Sequence, residues 1–168
     1  MRGTRRAAAI VVGALALAAA AAGGTTAVAC PASARQAAVS ARPGAGLRLV
    51  PPGARALLLC RYSGLGAPGG AFRLEVHSLV TDLATVARLA RELDALMPAT
   101  GVYHCPSDTA ADVVARFLYT SGPADPVTVD LTGCNVVTNG HVHREAGTSV
   151  AGRSLVGSLA RMTTRFAG

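Results

Sequence analysis

Four cysteines set behind an export leader constrain this chain more than any other feature. Met1-Arg2-Gly3-Thr4-Arg5-Arg6 is a short basic start. Ala7 to Ala22 follows, apolar apart from Gly13, and a small-residue stretch ends in Ala27-Val28-Ala29-Cys30. Positive n-region, apolar h-region and A-x-A site are the layout of a bacterial signal peptide over residues 1–29. Whatever folds downstream is then expected outside the cytoplasm, where thiols oxidise. Cleavage after Ala29 keeps Cys30, Cys60, Cys105 and Cys134, an even set that allows two disulfides in any of three pairings.

Two other cuts change that count. Thr26-Ala27-Val28-Ala29-Cys30 fits a permissive lipobox, although the usual Leu three residues before the Cys is missing. Lipidation of Cys30 would anchor the chain and leave three thiols. Cleavage at Ala32-Ser33-Ala34 would discard Cys30 and also leave an odd thiol. Thr4-Arg5-Arg6 is a faint echo of the twin-arginine route, but alanines stand where hydrophobic residues should follow.

Composition narrows the class. The 168 residues, less a leader, are one domain's worth of chain, enough for a single core. That core must be aliphatic, because there are three Phe, three Tyr and no Trp. All sixteen basic residues are Arg, which with the Ala, Gly and Pro content points to a high-GC, actinobacterial source. The net charge of +7 overstates the basicity, since Arg2, Arg5 and Arg6 leave with the leader. The other arginines are spread out, without the clustered basic face that nucleic acid requires. No stretch after the leader has the roughly 18 apolar residues of a membrane span.

Residues 30–53 are Ala, Arg, Pro, Gly and Ser with little periodicity, and read as a flexible tether. Residues 54–168 read as a single α+β domain. Leu57 to Tyr62 is a short apolar run, a buried strand closed by Ser63-Gly64. Phe72, Leu74 and Val76 alternate with Arg73, Glu75 and His77, a second strand. Thr81 or Asp82 caps a helix whose apolar stripe is Leu83, Val86, Leu89, Ala90, Leu93 and Met97, ended by Pro98. Arg88 and Glu92 are an i,i+4 pair on its surface. Val113 to Thr120 and Val127 to Leu131 are two more strands. Asn139-Gly140 between extended runs signals a hairpin with a type I′ turn. A last helix over about 149–165 carries Leu155, Leu159, Met162 and Phe166 inward. The sum is an antiparallel sheet with two amphipathic helices on one face, arranged as two strand–strand–helix units, the second enlarged by the hairpin.

No catalytic motif emerges, and no cofactor is implied. A Cys105–Cys134 bridge would close a loop of about thirty residues, contributing roughly 2–4 kcal/mol. Cys30–Cys60 would then tie the tether to the first strand, while Cys60–Cys105 and Cys60–Cys134 stay open as alternatives. His141 and His143, two apart on a predicted strand, would share a face and are weak zinc or copper candidates, with His104 or Cys105 near. There is no C-x-x-C and no H-E-x-x-H. Cys105 with His104, His141 or His143 is a conceivable thiol nucleophile and base, but it needs a lowered pKa and an orienting group. Asp108, Asp112, Asp125 and Asp130 lie close in sequence, and glycoside chemistry would need a set separation between two of them. Asp108 and Asp125 read more simply as turn residues, as do Ser63 and Ser121 beside their glycines.

Cys60-Arg61-Tyr62-Ser63-Gly64, then Cys105-Pro106-Ser107-Asp108, then Gly133-Cys134-Asn135-Val136-Val137-Thr138-Asn139-Gly140 occur in this order. The pattern resembles a group of exported actinobacterial proteins of unknown function, over about residues 54–159. The resemblance implies the same exported α+β domain and brings no activity, ligand or functional residue with it. The expectation is a disulfide-stabilised domain that binds an extracellular or cell-envelope ligand without catalysis. A thiol enzyme or hydrolase built on Cys105, and a metal module built on His141 and His143, are the rivals.

Overall fold

The computed structural model describes residues 29–37, 39–101, 104–105 and 107–164. The leader up to residue 28, Tyr103, Pro106 and the predicted core residue Phe166 lie outside them. The strands are β1 (Ala56–Tyr62), β2 (Leu74–Val80), β3 (Met97–Pro98), β4 (Asp112–Leu118), β5 (Asp125–Asp130), β6 (Val136–Thr138) and β7 (His143–Glu145). The helices are α1 (Leu83–Asp94) and α2 (Val150–Thr164), with a 3₁₀ turn at Ala34–Gln36. All strands join one antiparallel sheet in the order β2-β1-β4-β5-β6-β7-β3. The fold is therefore α+β, with β1 and β4, which lead the two expected strand–strand–helix units, paired with each other as second and third strands of the sheet.

Period-2 alternation divides the sheet into two faces. Leu57 and Leu59 of β1, Val113, Ala115 and Phe117 of β4, Val127 and Val129 of β5 and Val137 of β6 point one way. They pack with Val86, Leu89 and Leu93 of α1 and Leu155, Val156 and Leu159 of α2 in one aliphatic core. Asp82 caps α1 by accepting from Thr85 N at 2.9 Å. Ser149 does the same for α2, taking Gly152 N at 2.9 Å. The opposite face presents Leu58, Cys60 and Tyr62 of β1 and Val114 of β4. Ala34, Cys30 and Ala37 cover that patch, and the Cys30–Cys60 disulfide fixes the cover in place.

Several sequence expectations are corrected. The stretch expected as a flexible tether packs against the sheet: Ala34, Ala45, Leu49 and Val50 are buried, and the last two belong to the main core. Helix α1 stops at Asp94, so Met97 leaves the stripe for the edge strand β3, where it is 63% exposed. In β2 a bulge opposite Arg61/Tyr62 breaks the alternation, so that Leu74 turns away from the face that Val76, Ser78 and Val80 share. The hairpin exists, but β6 and β7 are joined by a four-residue turn, 139–142. Gly140 has φ +89° while Asn139 keeps a negative φ, so the turn is not type I′. Asn139 is instead buried, its Nδ2 turned toward the carbonyl oxygens of Ala45 and Leu49.

Candidate functional site

From Thr128 of β5 to β7, no apolar cluster among the described residues covers the sheet face away from the helices. Thr128 and Asp130, Val136 and Thr138, and His143 and Glu145 occupy it by register, and all are at least partly open to solvent. Its β4 border is Asp112, set directly opposite Asp130. The second disulfide, Cys105–Cys134, pins the loops at this end of the sheet, with a Cα–Cα distance of 5.1 Å. Asp108 lies against Gly133, whose φ of +68° and lack of Cβ allow the approach; a Cβ there would sit 2.8 Å from Asp108 Cβ. Asp108 Oδ1 accepts from Ala110 N at 2.8 Å and from Thr132 Oγ1 at 3.2 Å. Asn135 Nδ2 donates to Asp130 O at 3.0 Å.

Three of the four aspartates that lie close in sequence thus meet in space. Burial pushes the Asp112 carboxyl up to about 7, and the charges of Asp130 and Asp108 add to the rise, against a weaker pull from Arg35. Asp130 is also raised, first by burial and then by Asp108, while a hydrogen bond from Asp112 holds it down. Below neutrality Asp112 keeps its proton and donates it to the Asp130 carboxylate. Carboxyl groups sharing a hydrogen bond stand closer than the ~5 Å or more that glycoside hydrolysis needs. What this pair can do is offer acceptors to a ligand that brings donors or positive charge.

The fourth, Asp125, lies at the other end of β5 on the helix-side face and is completely buried. Its place before Pro126 reads in the sequence as that of a turn residue. The Asp112–Asp130 pairing had a signal: a hairpin centred on Ser121 sets residue 112 opposite residue 130.

The other candidates do not converge. Cys105 Sγ is bonded to Cys134 Sγ, and none of the four cysteines is free. His104 is exposed beside this bridge. His141 and His143 do not share a strand face: His141 lies in the turn with Nε2 2.9 Å from Ser40 O, and only His143 is in β7. The turn that buries Asn139 displaces His141 from the strand. Among the described residues no group of three or more His, Cys, Asp and Glu could hold a metal ion. Cys30, the lipidation candidate, is bonded to Cys60. Ser63 is a turn residue, its Oγ donating to Gly70 O at 2.9 Å.

A cavity of about 490 Å³ lies on the opposite side of the molecule, between α1 and α2, with Leu96 and Leu155 at its floor and Arg88, Glu92, Ser154 and Ser158 around it. Among the described residues no helix is long and apolar enough to cross a membrane. Comparison with protein families, with curated proteins and with solved structures gives no match for this chain.

Proposed function

We propose that this is an exported, disulfide-stapled domain that acts by binding, without catalysis, at the cell surface or in the medium. The observation that carries the reading is the helix-free face of β5 to β7, half-open and polar, bordered by the hydrogen-bonded Asp112 and Asp130. Binding faces of folded domains combine a rigid frame with a few fixed polar groups. Here the frame is the sheet and the Cys105–Cys134 staple. The ligand that suits this face is a cell-envelope or extracellular molecule bearing cationic or hydrogen-bond-donating groups. Export rests on the leader of residues 1–29, and the resemblance to exported actinobacterial proteins agrees with it.

Two measurements test the reading. The first is the intact mass of protein from its native host, with and without reduction and alkylation. A chain starting at Cys30 with four thiols only after reduction supports the stapled domain. A diacylated Cys30 replaces the Cys30–Cys60 bridge with a lipid anchor, since one sulfur cannot serve both. A thiol at Cys105 free before reduction overturns the non-catalytic reading in favour of a thiol enzyme. The second is amide chemical-shift mapping during titration with solubilised cell-envelope fragments. Shifts at Thr128, Asp130, Thr138 and Glu145 support the face; shifts confined to the α1–α2 cavity overturn its assignment.

A further inference from the structure

Residues 39–52 cross the helix-side end of the sheet without regular secondary structure. They are held mainly through their own backbone. Asn139 Nδ2 lies 2.9, 3.0 and 3.2 Å from the carbonyl oxygens of Ala45, Arg48 and Leu49. Ser40 N donates to Asn139 O at 3.0 Å, and Val50 N to Asp94 Oδ1 at 3.1 Å. Tyr119 OH donates to Pro51 O at 2.7 Å. Arg42 reaches back, Nη1 donating to Ser121 O and Pro123 O, with its guanidinium 3.2 Å from the centre of the Tyr119 ring. The segment is a strap latched to three separate elements: the turn after β6, the β4–β5 connection and the end of α1.

Beneath the strap is Asp125, 0% exposed. Neither carboxylate oxygen is met by a well-formed hydrogen bond among the described residues. The groups facing it are Ser40 and Arg42 from the strap, Asp94 from α1, His141 from the hairpin turn and Tyr119 from the end of β4. Burial pushes its carboxyl up to about 6; Ser40, Arg42 and His141 pull it down and Asp94 adds to the rise. A buried carboxylate without matched donors is costly when charged and much less so when neutral. The nearby parts of the sheet and α1 are fixed by their own backbone ladders as well as by the core. The strap seats Leu49 and Val50 in the core but has no helix or strand ladder of its own, so lifting it is the displacement that would let water reach Asp125.

We propose that residues 39–52 form an acid-tightened strap, closed over a neutral Asp125 and loosened when that carboxyl ionises. The closed form binds the extra proton, so closure is strongest below the open-state pKa near 3.8 and weakens as pH rises through about 6.

The test is hydrogen exchange of the full exported chain with disulfides intact, corrected for intrinsic rates, from pH 4 to pH 7. A pKa raised by roughly two units allows protection at the Ser40 and Val50 amides to fall by up to about 100-fold over that range. Amides of Leu59 and Ala115 at the sheet centre should not follow, and Asp125→Asn should abolish the strap's pH dependence. An unchanged pH dependence in Asp125→Asn, or strap and sheet amides moving together, overturns the proposal. Carboxyl-carbon NMR of the wild-type protein tests it without any variant: titration of Asp125 near 3.8 would also overturn it.

Discussion

Asn139→Ala is the substitution whose cost the structure specifies most fully. The side chain is 2% exposed and works at both ends. Oδ1 accepts from His141 N at 3.0 Å and Val142 N at 2.9 Å, which builds the hairpin turn. Nδ2 has two hydrogens for three strap carbonyls, and its contacts with Ala45 O and Leu49 O are buried. Alanine leaves two buried carbonyls without a donor, at roughly 1–3 kcal/mol each, and two half-buried amides without an acceptor, at about 1 kcal/mol each. Water entering the vacated space offsets part of this, so the net loss should be about 3–5 kcal/mol, a large share of a typical domain's stability. The assay is urea unfolding followed by circular dichroism at pH 7, with both disulfides intact and wild type in parallel. Asn139→Asp is the informative companion. It keeps the shape and the turn acceptor but turns a carboxylate toward three carbonyl oxygens, so it should cost more than alanine at pH 7 and recover as the pH falls. A loss under about 1 kcal/mol for Asn139→Ala would refute the view that this residue holds the strap. Indistinguishable pH profiles for the two variants would do the same.

Other expectations follow from the same geometry. A Cβ at Gly152 would collide with Ala146 O, a backbone atom that cannot swing away; Gly152→Ala should lower stability by about 1–3 kcal/mol in urea unfolding, despite a helix-propensity gain of up to ~1 kcal/mol. The disulfides close loops with sequence separations of 30 and 29. The loop-entropy account therefore makes the Cys30→Ala/Cys60→Ala and Cys105→Ala/Cys134→Ala pairs about equally costly, roughly 2–4 kcal/mol each, and a much larger loss for the first pair would show that the N-terminal cover contributes packing beyond the cross-link. Asp112 is held neutral in the folded state up to about pH 7, so its contribution to stability is lost as pH rises from the unfolded-state range near 4 through 7. Asp112→Asn keeps a donor toward Asp130 and removes that titration; thermal melts should show it more stable than wild type at pH 8, with the advantage shrinking toward pH 5.

The elements that could be read in the sequence are those held by side-chain patterning. Helix α1 announces itself by Val86, Leu89 and Leu93 and by its Asp82 cap. The central strands show because apolar residues recur wherever a face meets the core. Strand β2 is legible in part. Its alternation places Leu74 and Val76 on one face, and Val76, Ser78 and Val80 keep to it, but the bulge turns Leu74 to the other face. Cysteine count bounded the bridges without choosing among pairings, because the choice depends on which loops share an end of the sheet.

The strap was illegible for a deeper reason. Its backbone carbonyls accept from Asn139 and Tyr119, and every residue type carries a carbonyl, so the contact leaves no periodic mark on residues 39–52. The mark lies at the other end of the contact. An Asn before a Gly reads as turn chemistry, and it is, but the same amide whose oxygen builds the turn turns its nitrogen into the core. Asp125 is hidden in the same way. An Asp before a Pro at the start of a strand is ordinary turn composition until a segment eighty residues earlier in the chain folds over it and takes away its water. Both residues acquire their roles from the strap, so they stand or fall together. If strap closure follows the Asp125 proton, then Asn139→Ala should weaken protection of the Ser40 and Val50 amides at every pH without changing where along the pH axis protection is lost. One residue sets how firmly the strap is held, and the other sets when.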